Sequence, residues 1–288
     1  MNIDWDNRII TLHQSDINSF LICPEQLRVT AFHDGRVETD AATVGTGVHA
    51  TIEAEKVHGL FHSLNDMQDW GVAWFVNELA TYEYESIPYS RSSFDTDDVA
   101  VKNLLTHLAH YWVSRERSEY LHPDSIAEWQ FDIPFMEIKH DPEWWKIRLA
   151  GTADWVHPDR PMKDWKTASQ EYKRWEKQRW AVQPTVYLRA AQHMGIPIKT
   201  APSGDYEFEF KVFRLKTKND EYPETVKVYR GHRHFQWLER QVEDMARYVL
   251  NNQSDEHWIR NDQHVLCSPK WCPNWGNCKG LFIDGEQW

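Results

Sequence analysis

The sequence has 288 residues, of which 41% are hydrophobic and 26% charged, and its formal net charge is −12 at pH 7. This length can bury the core of one large domain. The negative charge argues against a generic basic nucleic-acid binder, although local basic residues and metal-neutralised carboxylates still allow a nucleic-acid enzyme. No apolar run is long enough to cross a membrane, and the start MNIDWDNRII does not resemble a signal peptide. We therefore expect a soluble, cytoplasmic protein.

The first 122 residues are predicted to be mainly helical. A helix is expected from Ser15, its capping residue, to Phe32, with a division at Pro24. The glycine-bearing segment TVGTGVHATIEAEKVHGL is expected to become helical from about Val48. Apolar spacing predicts helix over most of residues 66–120, with an interruption near residues 87–95.

Strand-like and helix-like segments predict an α/β core over residues 123–230, and Phe131, Ile133 and Phe135 alternate in the first of these segments. Strands are expected over residues 126–138, 144–156, 161–167, 206–215 and 224–229, with a helix over residues 171–193. A helix over residues 235–250 and a tail with cysteine and tryptophan residues form the C-terminal part, residues 231–288. The chain is thus predicted to be a single α/β domain of residues 1–288.

The segment GTADWVHPDRPMKDWKTASQ indicates hydrolytic chemistry. Asp154 ends one predicted strand, and Asp164, Trp165 and Lys166 end the next, so two carboxylates and an ammonium group can meet at one edge. Carboxylate oxygens bind hard divalent cations, which activate water and stabilise charge on phosphate. A lysine beside them can orient the attacking water. The alternative is a surface hairpin with an ordinary Asp–Lys pair, because short D-x-K strings are common.

Two further pairs of polar residues have helical spacing. His49 and Glu53 are one turn apart, and histidine can supply a ligand for Mn²⁺ or Mg²⁺. Gln183 and Tyr187 are also one turn apart, and they can hold phosphate or brace the lysine. The alternatives are a packed or solvated histidine and an ordinary contact on a helix surface.

The order of these residues resembles the RecB-like branch of the PD-(D/E)XK nucleases. The matching motifs are His49 in G-x-x-x-H, Asp154 in G-T-A-D, Asp164-Trp165-Lys166, Gln183-x-x-x-Tyr187 and the early LICPEQLR. The resemblance extends from about Ser15 to Cys278. It implies a restriction-endonuclease-like core, in which helices flank a central mixed sheet. It also implies a metal-dependent DNA exonuclease acting on ends or single strands, in recombination, repair or CRISPR-adaptation-like processing.

The resemblance assigns roles to individual residues. The implied ligands of Mg²⁺ or Mn²⁺ are His49, Asp154, Asp164 and the main-chain carbonyl of Trp165. Lys166 would orient the attacking water, and Gln183 and Tyr187 would support the site. Two features depart from the family pattern. Asp154 and Asp164 replace its more usual PD-type motif while keeping the spacing, and Pro184 predicts a kink in the helix that carries Gln183.

Four cysteines form a second group of candidate ligands. Cys267, Cys272 and Cys278 are spaced C-x4-C-x5-C, and Cys23 lies far upstream. In a reducing compartment, four thiols favour metal ligation or burial over disulfides. One distant cysteine with a terminal triplet resembles the [4Fe–4S] site of AddB-type and CRISPR-adaptation exonucleases, although those relatives more often have a C-x2-C step. The alternatives are tetrahedral zinc and four unrelated buried thiols.

Basic and aromatic residues suggest where DNA would bind. They are Lys173, Arg174, Lys177, Arg179, Arg230, Arg233 and Arg240, interleaved with Trp175, Trp180 and Trp237. Basic side chains can contact phosphates and indoles can stack on bases, although a solvated helix face has a similar composition.

Two other functions compete with that of an active nuclease. One is a catalytically weak DNA-binding or recombination partner. The other is a zinc-stapled structural subunit of a helicase–nuclease complex. The sequence has no G-x-x-x-x-G-K-[ST] motif, so a helicase would be a separate chain.

Overall fold

The computed structural model of the chain describes residues 1–32, 38–59, 61–91, 93–114, 123–169, 171–215, 223–254, 258–261, 267, 268 and 272. It contains two compact units. The smaller unit comprises Met1–Val37, Pro134–Leu149 and Glu239–Trp288, and the larger comprises Glu38–Ile133 and Ala150–Leu238. Each is described separately below.

The described residues form both helices and strands, as expected of an α/β protein. The described strands are β1 (Asn2–Asp4), β2 (Ile9–Leu12), β3 (Glu38–Thr39), β4 (Tyr89–Ser90), β5 (Ile126–His140), β6 (Glu143–Val156), β7 (Met162–Ala168), β8 (Tyr206–Arg214) and β9 (Glu224–Arg230). The described helices are α1 (Gln14–Ile22), α2 (Pro24–Phe32), α3 (Asp40–His58), α4 (Leu64–Tyr84), α5 (Asp97–Ser114), α6 (Arg174–Trp180), α7 (Gln183–His193) and α8 (His232–Asn251). The predicted α/β class is confirmed.

In the smaller unit, β2 pairs antiparallel with β1 and parallel with the first half of β6. The strands β1 and β2 were not predicted, because three or four residues are too few to show a period. Helix α1 begins at Gln14, so Ser15 lies inside the helix and is not its cap. The predicted division at Pro24 is confirmed, since α1 ends at Ile22 and Pro24 opens α2.

The buried carboxylate of Glu25, at the start of α2, holds the C-terminal part of the smaller unit. It accepts a hydrogen bond from the backbone N–H of Trp258 at 2.7 Å and pairs with Arg28 at 2.7 Å. The backbone N–H of Glu25 donates to the carbonyl of Ile259, and the Asn261 side chain donates to the carbonyl of Ile22. Residues 258–261 are therefore fixed beside the junction of α1 and α2.

In the larger unit, α3, α4 and α5 pack around one apolar core against strand residues. Val48, Phe75 and Leu104 are fully or almost fully buried in this core, together with Trp155 and Trp165 from β6 and β7. Helix α4 is capped by Ser63, whose hydroxyl accepts from the backbone N–H of Asp66. Among the described residues, no helix combines the length and apolar character needed to cross a membrane.

Helix α3 begins earlier than its glycines suggested. The hydroxyl of Thr39 caps it by accepting from the backbone N–H of Ala42, and the helix continues through Gly45 and Gly47. A Cβ at Gly47 would come within 3.1 Å of the Trp74 ring. This glycine thus allows α3 and α4 to approach closely, which the sequence alone did not reveal.

The strands of the larger unit lie in the order β6, β7, β8, β9. Strand β7 is antiparallel to β6 and parallel to β8, and β9 is antiparallel to β8, so the sheet is mixed as expected. The parallel connection from β7 to β8 contains α6 and α7. One helix was predicted over residues 171–193. The structure has two, because Pro184 lies in the first turn of α7, where its missing N–H costs no helical hydrogen bond.

Candidate active site

The hairpin of β6 and β7 brings the two predicted carboxylates and the lysine together. Asp154 is almost buried and Asp164 is fully buried. The Lys166 ammonium nitrogen lies 2.8 Å from Oδ2 of Asp164, since residues two apart on a strand share a face. Oδ2 of Asp154 accepts a hydrogen bond from the backbone N–H of Trp165 at 2.6 Å. The hairpin therefore fixes both carboxylates from its own backbone and side chains.

Helix α3 and strand β5 complete the group. Nδ1 of His49, on α3, lies 3.4 Å from Oδ2 of Asp154. The ligand atoms of His49, Glu128 and Asp154 all lie within 4.8 Å of one another, a spacing that one cation could bridge. Two of the predicted ligands, His49 and Asp154, are thus brought together. Asp164 lies outside this trio and contacts Lys166 and Gln183 instead.

Glu128 was not identified from the sequence. It lies near the start of β5 with a φ of +47°, which places a non-glycine residue in the left-handed region within a strand. Such backbone strain concentrates at functional sites and costs about 1–3 kcal/mol. The only sequence signal was a carboxylate in a strand rich in aromatic residues, and this signal does not reveal the strained backbone that directs the side chain.

A recess lies beside the trio. Its lining includes Glu53 and Lys56 from α3, Tyr111 from α5, and the site residues Glu128 and Asp154. Glu53, which shares a helical face with His49 in the sequence, is therefore close to the site but is not one of the three grouped ligands. Lys56 supplies the positive charge in this lining.

Burial and mutual repulsion alter the pKa values of the carboxylates. Burial and the adjacent Asp154 carboxylate raise the pKa of Asp164 to about 6 and that of Glu128 to about 7. Burial would also raise the pKa of Asp154, but His49 beside it holds that pKa below the ordinary value. Because two of the three carboxylates resist ionisation, a bound cation would stabilise the cluster.

Lys166 remains protonated in this environment. Burial acts to lower its pKa, but the carboxylates of Asp164 and Asp154 outweigh burial and raise the pKa above its ordinary value. A lysine in this state can donate hydrogen bonds and offset negative charge, but it cannot accept a proton.

Helix α7 supports the site through Gln183 and Tyr187. Nε2 of Gln183 donates to Oδ1 of Asp164 at 2.6 Å, which connects the helix directly to the carboxylate. Tyr187 is buried and makes an edge contact with Phe131, with 5.7 Å between ring centroids. A Cβ at Gly151 would come within 2.8 Å of the Phe131 ring, so the glycine of the G-T-A-D motif allows β6 to approach that ring.

The sequence matches the family model described as the PD-(D/E)XK nuclease superfamily over residues 11–279. The chain belongs to this superfamily.

The PD-(D/E)XK nuclease is also similar to two solved structures. One is a protein of Eubacterium rectale described as a "putative exonuclease", with a TM-score of 0.49, 12% identity, and coverage of 100% of this chain and 96% of that chain. The other is SSO0001, with a TM-score of 0.27, 13% identity, and coverage of 82% and 87%. No protein of curated function matches the nuclease in sequence. The superfamily predicted from the ordered motifs is confirmed.

Arg230 of the nuclease is not a phosphate contact, contrary to the prediction. Its side chain is 1% exposed. Its guanidinium donates to the carbonyls of Lys177 and Ala181, at the end of α6, and to the hydroxyl of Thr185 in α7. It thus caps the C-terminus of α6 and connects β9 to the break between α6 and α7.

Three of the four cysteines are among the described residues. Cys23 occupies the junction of α1 and α2 and is partly buried, as are Cys267 and Cys272. Cys278 lies outside the described residues. Ligation of a metal by these thiols stays a prediction.

Proposed function

We propose that the chain is a divalent-metal-dependent DNA exonuclease of the RecB-like branch, hydrolysing phosphodiesters at DNA ends or in single strands. The observation that supports it best is the clustering of His49, Glu128 and Asp154 around a common point, next to the Asp164–Lys166 pair. The trio could bind a metal ion, and the Lys166 ammonium beside Asp164 supplies a second positive charge nearby. Recombination, repair or CRISPR-adaptation-like processing, with a separate helicase as partner, is the corresponding biological setting.

The donor atoms fit Mg²⁺ or Mn²⁺. Carboxylate oxygens suit both ions, and one imidazole among them favours Mn²⁺. The residues that would hold the ion are His49, Glu128, Asp154, Asp164 and the main-chain carbonyl of Trp165. A bound divalent cation lowers the pKa of water and stabilises charge on phosphate oxygens.

The remaining residues perform orientation and charge stabilisation. Lys166 donates protons in hydrogen bonds, so it can orient the attacking water and stabilise the developing charge on the phosphate. Gln183 fixes one oxygen of Asp164 and leaves the other beside Lys166. The side chain of Tyr187 is hydrogen-bonded to that of Gln183 and can help to hold it in position.

An iron–sulfur cluster held by Cys23, Cys267, Cys272 and Cys278 is part of the proposal. The hydrogen bonds that fix residues 258–261 beside Ile22 and Glu25 support it, since they bring the chain that precedes Cys267 close to Cys23. Such a cluster would connect the two ends of the chain and stabilise the smaller unit. Zinc in the same site is the alternative.

Cleavage of end-labelled DNA tests the catalytic proposal. We expect Mn²⁺ or Mg²⁺ to support hydrolysis and a chelator to abolish it reversibly. Asp154→Ala, Asp164→Ala and Lys166→Ala should each reduce the rate by at least about a hundredfold, because ligation or charge stabilisation is lost. Glu137→Ala, which removes an exposed carboxylate from β5, is the matched control and should keep full activity. Undiminished cleavage by either aspartate variant would reject the assignment.

A further inference from the structure

Two exposed indoles are the most unusual feature of α6. Trp175 and Trp180 are 61% and 62% exposed, and none of the seven residues of the helix is buried. A folded protein normally covers large aromatic side chains, since an indole carries much apolar surface. The two indoles are five positions apart, which corresponds to about 7.5 Å along the helix axis and about 140° around it.

Polar contacts, and not apolar packing, hold α6 in place. The side chain of Gln178 donates to the carbonyl of Tyr229 and accepts from its backbone N–H. The guanidinium of Arg230 donates hydrogen bonds to the carbonyls of Lys177 and Ala181. An isolated helix of this length would be unstable, so these contacts maintain the helix while Trp175 and Trp180 stay exposed.

The charge of α6 and the residue before it suits a polyanion. Lys173, Arg174 and Arg179 are exposed, in a chain of formal net charge −12. The guanidinium carbon of Arg179 lies 4.5 Å from the centre of the Trp180 ring, so a cation and an aromatic face are presented together. The exposed side chains of α6 and of Lys173 therefore include both cations that can contact phosphates and indoles on which bases can stack.

A chain of contacts connects α6 to the active site. The Lys177 ammonium lies 4.0 Å from the centre of the Tyr172 ring, and that ring makes an edge contact with Phe210 at 5.9 Å. Phe210 is the partner of Asp164 across β7 and β8. These contacts link α6, through Tyr172 and Phe210, to the strand that carries Asp164 and Lys166.

We propose that Trp175 and Trp180 form a base-stacking site for single-stranded DNA, which guides a strand to the active site. The proposal rests on the nuclease function proposed above. Bases of a single strand expose their faces and can stack on indoles whatever their identity, whereas bases of a duplex are already stacked on each other. Arg174 and Arg179 contact the phosphates between them.

Binding to two ligands with the same number of phosphates tests the site. One is a fluorescein-labelled oligothymidylate, and the other has abasic residues in place of every nucleotide. The fluorescence anisotropy of the labelled strand is measured with Lys166→Ala protein in Ca²⁺, so that the DNA is not cleaved. Trp175→Ala and Trp180→Ala should each weaken binding of the oligothymidylate by roughly 5- to 150-fold. Binding of the abasic strand should change less than about twofold, because only its phosphates are recognised.

Three controls make the outcome specific. Trp144→Ala removes an indole of similar exposure, 59%, and should change neither affinity. Trp175→Phe and Trp180→Phe should bind the oligothymidylate much more tightly than the alanine variants do, since each keeps an aromatic face. A loss that is equal for both ligands, or no loss for either, would overturn the stacking site. Cleavage by the wild-type protein is scored separately, so a failure of the nuclease function is distinguishable from a failure of this site.

Discussion

Glu128 combines two unfavourable features at one residue. Its backbone has a φ of +47°, and its carboxylate lies beside that of Asp154. Neither feature stabilises the fold, since the backbone strain costs about 1–3 kcal/mol and like charges repel. Both are consistent with a residue kept for binding a cation, which would relieve the repulsion.

The variant Glu128→Gln separates these effects. It should weaken Mn²⁺ binding by on the order of tenfold or more, because a charged ligand is lost. In chelator it should stabilise the protein by about 1 kcal/mol, because the repulsion with Asp154 is removed while the side-chain shape is kept. Titration calorimetry with Mn²⁺ and thermal unfolding in chelator measure the two quantities.

The matched control is Glu137→Gln, an exposed carboxylate on the same strand. It should leave Mn²⁺ affinity and stability unchanged within error. If Glu128→Gln binds Mn²⁺ as tightly as the wild type does, Glu128 is not a ligand.

The residues of the site differ in how well the sequence predicted them. Asp154, Asp164 and Lys166 could be found because Asp154 lies near the end of β6 and the other two lie in β7, just after a short turn, so their proximity is local. His49 and Gln183 could be placed only through the resemblance, since they reach the site from distant helices. Glu128 could not be found, because its direction depends on a strained backbone that no residue pattern signals.

The buried guanidinium of Arg230 organises the loop region, which is the break between α6 and α7. Arg230 is covered by α6, α7 and β9 and donates to acceptors on all three, including the carbonyl of Tyr229. Burial lowers its pKa to about 10, but it remains protonated at neutral pH. The position of Gln183, at the start of α7, depends on this anchor.

We expect Arg230→Met to destabilise the protein by about 2–4 kcal/mol. The methionine fills similar space but leaves several carbonyls and the hydroxyl of Thr185 without their donor. Gln183 should also be displaced, so the maximal cleavage rate should fall even at temperatures where the variant is folded. Urea unfolding and single-turnover cleavage measure the two effects.

Arg233→Met is the matched control, since Arg233 is exposed at the start of α8. It should change stability by less than about 0.5 kcal/mol. If the two variants unfold at the same urea concentration, Arg230 does not anchor the loop region.

The bounds of the strands in the α/β core were predicted well. Strands β5 to β9 agree with the prediction to within two residues at each end. Helices α3 and α6 did not follow the prediction. The start of α3 depends on its cap Thr39, and the end of α6 depends on Pro184 and on the distant Arg230.

At the scale of the whole molecule, the sequence predicted one domain of residues 1–288 with parts at 1–122, 123–230 and 231–288. This division stays a prediction. The smaller compact unit is formed from three separate stretches of chain, and contacts between such stretches cannot be read from local patterns. The buried Glu25 illustrates this, because its partners include the distant residues Trp258 and Arg260.

The proposed cluster predicts a defined metal content. Anaerobically purified protein should be brown and contain about four iron atoms per chain with little zinc. Cys267→Ser and Cys272→Ser should remove the colour and lower the thermal midpoint, because the connection between the two chain ends is lost. Metal analysis, visible absorption and calorimetry measure these properties.

Ser268→Ala changes a residue next to the first of these thiols and should keep both colour and stability. Stoichiometric zinc in colourless protein from iron-replete cells would replace the iron–sulfur assignment with the zinc alternative.

The β6–β7 hairpin has a consequence for the order of folding. Asp154 and Asp164 are only ten residues apart, whereas His49 precedes Asp154 by 105 positions. Closing the longer loop costs about 2 kcal/mol more chain entropy than closing the shorter one. The two carboxylates can therefore meet early, as a local contact formed within microseconds, and the histidine arrives only when α3 docks. The cation site is thus complete only after the long-range contact of α3 has formed, so the hairpin alone would be inert toward DNA.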